Sequence, residues 1–187
     1  MRSFDGFDDH STEARSRARV VSRRLSRPLR HAHLDRNLIT EFFFVFSRFE
    51  YALKRAGFLK PNRRSAEPDW DTFGDALEQK YNSDETPQLS SSVDYLLSEP
   101  PKRQIVQEDG SLGWDPDKRG SETEIVWLLL LVRRIRNNLF HGGKYPYMPL
   151  PEPARDDRLL ESSLVLLEAC LDWDDEVREY FMSDLDG

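Results

Sequence analysis

Residues 121–144 read SETEIVWLLLLVRRIRNNLFHGGK. Ile125, Leu128, Leu129, Val132, Ile135 and Leu139 fall at helical spacing, so they define one buried stripe. Trp127, Leu130 and Leu131 make the first half apolar nearly all round, which predicts a central helix with neighbours on several sides. Ser121 with Glu124 three residues later fits a capping box at its start. Gly142-Gly143 marks its end, and Pro146, Pro149, Pro151 and Pro153 make an extended connection to a final helix. An all-α bundle follows from this stretch.

The flanking segments agree with that architecture. Residues 35–57 place Leu38, Phe42, Val45, Phe49, Ala52 and Ala56 at helical spacing, with Gly57 as C-terminal cap and Pro61 as a stop. Phe43, Phe44 and Phe46 widen that face, which predicts packing against several helices or a second subunit. Pro68 or Asp69 starts a second helix to about Tyr81, with Trp70, Phe73, Leu77 and Tyr81 on one side. After a loop at 82–88, a short helix near 90–97 begins with Ser90 or Ser91 and ends before Pro100-Pro101. Residues 102–120 hold a small hairpin or an ordered loop, with Gln104-Ile105-Val106 as a strand and Asp109-Gly110 as a turn. The last helix is predicted over 156–182, burying Leu160, Leu164, Leu167, Leu171 and Trp173 and continuing through Val177 and Phe181. The expectation is a bundle of four to five main helices over 35–187, preceded by an arm over 1–34.

That arm carries eight arginines, no lysine and four acidic residues, although the whole chain has a net charge of −7. A polar, solvated segment and an arm that touches RNA phosphates or a partner both fit it. With 187 residues, 38% hydrophobic and 33% charged, the chain has room for one substantial core. Its longest apolar run, 125–132, is too short to cross a bilayer, and no apolar signal core opens the chain; the expectation is a cytoplasmic protein without a membrane partner. Cys170 is the only cysteine, so an intrachain disulfide and a multi-cysteine zinc site are excluded; it falls on an apolar helical pattern. His31 and His33 form a pair in a polar arm without further ligands at convincing spacing, so no metal site and no cofactor are assigned.

Chemistry concentrates at the polar end of the central helix. Asn137 and His141 are one helical turn apart and share a face, whereas Arg136 and His141 are separated by about 140 degrees on an ideal helix. Loosening at the glycine pair would let His141 swing toward Arg136. Arg136 offers a planar, permanently charged fork for phosphate, and His141 can move protons near neutral pH. Those parts suit cleavage of RNA, where the neighbouring ribose hydroxyl is the nucleophile. The enzyme then needs a proton acceptor, charge stabilisation and in-line positioning. A two-fold dimer would join two such pairs and supply both an acid and a base. An arginine followed by four to six residues and a histidine is a loose pattern, which Arg24/His31 and Arg27/His33 also match. Only Arg136/His141 adds an adjacent asparagine, a buried helix before it and glycines after it. The bland alternative is a helix C-terminus whose basic residues complement the dipole. Glu50 lies amid apolar residues. It is either an interfacial ion-pair partner or a carboxylate supporting the arginine and histidine. The candidate catalytic set is Arg136, His141, Asn137 and Glu50, with Arg133, Asn138 and Lys144 as substrate-binding neighbours.

At Arg136-Asn137-Asn138-Leu139-Phe140-His141, and in the surrounding IRNNLFHGGK, the sequence resembles the HEPN superfamily. Members carry an arginine, four to six residues and a histidine at the end of a bundle helix. The upstream FSRFEYALKRAG, residues 46–57, is similar to the first bundle helix of certain bacterial members. The resemblance covers roughly 35–182. It implies a HEPN-like helical bundle and a metal-independent endoribonuclease acting as a homodimer, leaving a cyclic phosphate and a free hydroxyl end. It also implies a toxin or antiphage effector, with a possible cognate antitoxin. Some relatives are adenylylated by a nucleotidyltransferase antitoxin on a tyrosine two residues after the histidine; here that position is Gly143, and Tyr145 lies further on. The alternative is a catalytically inactive HEPN module partnering a nucleotidyltransferase or sensor protein.

Overall fold

A computed structural model describes residues 35–140 and 153–183. Six helices and one hairpin occur among them: α1 Arg36–Arg55, α2 Trp70–Leu77, α3 Pro87–Ser98, β1 Arg103–Val106, β2 Leu112–Asp115, α4 Glu124–Phe140, α5 Pro153–Trp173 and α6 Asp175–Met182. The chain is thus mostly helical, as its apolar periodicity predicts. The arm over 1–34 and the glycine pair with its proline-rich connection lie outside the described residues.

Local chemistry explains the ends of α1. The Asp35 carboxylate accepts from the Asn37 and Leu38 amides, and Lys54 and Arg55 sit in the last turn, where the helix dipole favours cations. Gly57 has φ 86°, and the Phe58 and Gly57 amides return to the Leu53 and Lys54 carbonyls. That is a Schellman ending, and it needs a residue at ease in the left-handed region. The chain after it folds back on itself. Leu59 pairs with Pro68, the Lys60 amide donates to the Glu67 carbonyl, and the Asp69 amide donates to the Phe58 carbonyl. The fold-back delivers Trp70 onto α1, where its ring stacks 5.3 Å from Phe46 and 5.3 Å from Phe49.

α4 buries every residue from Ile125 to Leu129, consistent with an apolar stretch that spares no face in its first half. Gly74 of α2 meets it closely: a β-carbon there would stand 2.7 Å from Val126 Cγ2 and 3.1 Å from its Cα. Gly74→Ala is therefore expected to push α2 from α4 and to cost about 1–3 kcal/mol, read as a lower urea midpoint. α3 and α1 pack on α5, and α6 packs on α1. Cys170 is wholly buried in this core, as its apolar setting predicts.

Three helix C-termini receive a cation from elsewhere in the chain. Lys80 donates to the Trp173 carbonyl at the end of α5, and Arg155 donates to the Glu99 and Pro100 carbonyls after α3. Arg48 donates to the Phe181 and Ser183 carbonyls at the end of α6. Each satisfies backbone oxygens left without an intrahelical partner and complements the dipole.

Several boundaries differ from the sequence expectation: α2 ends at Leu77 rather than near Tyr81, and α5 begins at Pro153 rather than near 156. α3 begins at Pro87 rather than Ser90, because Thr86 caps the Leu89 amide and proline suits the first helical position. α4 begins at Glu124, with the Thr123 carbonyl accepting its first bond from Trp127; the Ser121–Glu124 capping box does not form. Glu124 instead accepts from the Tyr81 hydroxyl at 2.8 Å and pairs with Arg119 at 3.2 Å. The last helix is two: Asp174 leaves the helical region at φ −134°, ψ 101°, and its carboxylate caps Val177. Acidic residues at 172, 174 and 175 disfavour the C-terminal end of one helix and favour the start of the next.

Residues 103–115 form the hairpin rather than a loop, with Gln104 opposite Trp114 and Val106 opposite Leu112. Gly110, at φ 79°, closes its turn. The hairpin is tied to α4 by Arg134, whose side chain is only 9% exposed and donates to the Pro101 carbonyl and to Asp117 at 2.8 Å. Its guanidinium also lies 5.5 Å from the Trp127 ring centroid.

A half-buried phenol and a buried thiol weaken the fold at alkaline pH. Burial, and then the hydrogen bond to Glu124, push the Tyr81 phenol well above its usual range, and burial pushes the Cys170 thiol up. Both hold their protons more tightly folded than unfolded. Their stabilisation is complete below the unfolded values, about 8.5 for cysteine and about 10 for tyrosine, and is lost as pH rises beyond them. Denaturation midpoints should fall from about pH 9 upward, and Tyr81→Phe should flatten the slope above about pH 10.

Candidate functional site

The polar end of α4 faces the middle of α1 and the fold-back before α2 across a cleft of about 230 Å³. Arg133, Arg136 and Asn137 come from α4, Phe46 and Glu50 from α1, and Lys60, Glu67, Pro68 and Trp70 from the fold-back and the start of α2. Three segments distant in sequence thus bring three cations, two carboxylates and an amide to one opening.

Arg136 is held by rings and an amide. Its guanidinium lies 5.7 Å from the Phe46 centroid and 5.6 Å from the Phe140 centroid, and Nη1 donates to Asn137 Oδ1 at 3.1 Å. Phe140 is one turn beyond Arg136, so the sandwich follows from helical spacing. Phe46 rests in turn on Trp70. Among the described residues no carboxylate comes within 4 Å of this guanidinium, although Glu50 lines the same cleft. An arginine positioned by aromatic faces keeps most of its five donors for an anion.

The neighbouring groups divide into two kinds. Arg133 Nη1 pairs with Asp71 at 3.0 Å, in an exposed contact that phosphate could replace. Lys60 lines the cleft with no ion-pair partner within 4 Å among the described residues. Asn138 points elsewhere: its amide donates to the Lys102 carbonyl at 2.9 Å and helps seat the hairpin. Its Nδ2 is committed to that backbone oxygen. His141 and Lys144 lie outside the described residues; α4 is helical through Phe140, the residue before His141.

Beside Arg136 an aromatic patch is open to solvent. Phe140 and Phe43 are each 44% exposed and Phe44 65%, with centroid separations of 5.3 Å for Phe43–Phe140 and 5.5 Å for Phe43–Phe44. Helical spacing puts Phe140 beside Arg136, whereas Phe43 and Phe44 belong to α1 and reach it only through tertiary packing. The sequence gives no sign of Lys60 or Glu67, because only the Leu59–Pro68 pairing brings them to the cleft. Among the described residues, no three His, Cys, Asp or Glu side chains gather as metal ligands would, and no helix is long and apolar enough to cross a membrane.

No protein-family model, curated protein or solved structure matches the chain.

Proposed function

We propose that this chain is a metal-independent endoribonuclease of HEPN type, acting as a toxin or antiphage effector at a composite site between two copies. The observation that carries the reading is Arg136: fixed by Phe46, Phe140 and Asn137, facing a cleft, without a carboxylate partner among the described residues, and five positions before a histidine.

In this mechanism the ribose 2′-oxygen attacks the adjacent phosphorus. The new P–O2′ bond forms as the P–O5′ bond breaks, leaving a 2′,3′-cyclic phosphate and a 5′-hydroxyl. His141 of one copy takes the proton from the 2′-hydroxyl, and His141 of the second copy gives a proton to the departing 5′-oxygen. Arg136 binds the non-bridging oxygens, where negative charge rises as the phosphorane forms. Asn137 fixes Arg136 through its oxygen and keeps its Nδ2 donors for phosphate. Glu50 supports the site from the opposite wall, and Arg133 and Lys144 bind flanking phosphate. The Phe43–Phe44–Phe140 patch is where the second copy packs, because burying it beside Arg136 brings two motifs to one cleft.

Expression in a bacterial host tests this reading. Induced wild-type chain is expected to arrest growth and fragment RNA, while His141→Ala at equal abundance does neither. Equal growth and intact RNA with both proteins would favour the inactive module, for which the same patch would dock a different partner.

A further inference from the structure

Arg133 and Asn137, one turn apart on α4, also line a second and larger cleft of about 450 Å³ on their other side. Its far wall is β1 and the segment after β2, which contribute Arg103, Gln104 and an Asp117 carboxylate already engaged by Arg134, and Leu130 supplies an apolar surface. We propose that this hairpin cleft is a nucleotide-binding subsite, holding the RNA residue next to the scissile phosphate. Gln104 hydrogen-bonds the base, and Arg103 and Arg133 take the phosphates. The inference rests on the endoribonuclease reading and extends it to how the substrate strand is held.

Four features support the assignment. The volume lies within the range of about 300–1,000 Å³ typical of clefts that take small ligands. The two clefts share a wall, so a strand leaving Arg136 passes Arg133 and Asn137 before it meets the hairpin. Arg103 and Arg133 each pair with an exposed aspartate, Asp115 and Asp71, both at 3.0 Å. Such exposed pairs contribute little, so bidentate arginine–phosphate contacts can displace them. By contrast, the Arg134 side chain is itself buried where it meets Asp117 and the Pro101 carbonyl, and it holds the hairpin against α4. The cleft therefore has a rigid frame and adjustable cations. Gln104 presents a donor and an acceptor together, the pairing that reads the edge of an unstacked base.

Fluorescence anisotropy of a labelled 2′-O-methyl RNA hexamer, in EDTA with the full chain, tests the subsite, because the blocked hydroxyl prevents cleavage. Arg103→Ala with Gln104→Ala is expected to weaken binding about tenfold. Gln104→Glu, nearly isosteric, should weaken it several-fold by setting a carboxylate against the strand, with an unchanged thermal midpoint. Hexamer affinity unchanged in both variants but reduced in Arg136→Ala would overturn the subsite and leave the endoribonuclease reading standing. Binding that depends on Arg103 and Gln104, together with unmodified RNA that is never cut, would support the subsite and overturn the nuclease. A wild-type chain that does not bind the hexamer would overturn both.

Discussion

His141→Ala is expected to lower RNA cleavage by about 10²–10⁴-fold, and Arg136→Ala by about 10²–10³-fold. On the proposed mechanism the first removes the group that moves protons, and the second removes the positive charge that meets the phosphorane. Neither should unfold the chain: among the described residues Arg136 is tied only to Asn137 and to two ring faces, and no buried ion pair among them is broken. Arg136→Lys separates two parts of the role. It keeps the charge and loses the planar fork and the ring contact, so its activity should fall between wild type and alanine. Single-turnover rates on a defined RNA, with circular dichroism as the control for folding, measure the effect. Activity that survives both alanine substitutions would remove this cleft from the chemistry.

Trp70→Ala is expected to cost about 3–5 kcal/mol, lowering the thermal midpoint by roughly 10 °C. Trp70 is 2% exposed and stacks on both Phe46 and Phe49, so alanine leaves a cavity between α1 and α2. The same ring lines the cleft and backs Phe46, which faces Arg136. Activity should therefore fall at temperatures where the variant is still folded. Trp70→Phe should be much milder. It keeps most of the apolar contact, and it removes an Nε1 donor that is buried without a hydrogen-bond partner among the described residues. Urea denaturation of the two variants checks this order, and an alanine cost below about 1 kcal/mol would contradict the packing account.

Much of the fold is legible because apolar periodicity and capping chemistry act within a few residues. The stripe from Ile125 to Ile135 identifies α4, Gly57 marks the end of α1, and Asp109-Gly110 marks the hairpin turn. Boundaries are lost where one side chain has competing uses. Glu124 could cap its own helix, but in the folded chain it bonds Tyr81 and Arg119, which are brought near by tertiary packing. Asp174 interrupts a stripe that remains apolar on both sides, so Leu171, Trp173 and Val177 read as one helix when they belong to two.

The site divides in the same way. Arg136, Asn137 and Arg133 fall together by helical spacing, and Glu50 joins them because its turn of α1 faces the same cleft. Lys60 and Glu67 are invisible in sequence, since a fold-back without periodicity carries them there. Asn138 shows the limit of proximity: one residue from Asn137, it points about 100 degrees around the helix and serves the hairpin.

The central claim is that the Arg136/His141 cleft cuts RNA with the substrate's own hydroxyl. Its most direct test is the chemistry of the product ends when the purified full chain acts on a defined RNA in EDTA. Fragments with 2′,3′-cyclic phosphate and 5′-hydroxyl ends, absent with His141→Ala and Arg136→Ala, are the predicted result. Intact RNA, or fragments with 5′-phosphate ends, would contradict it.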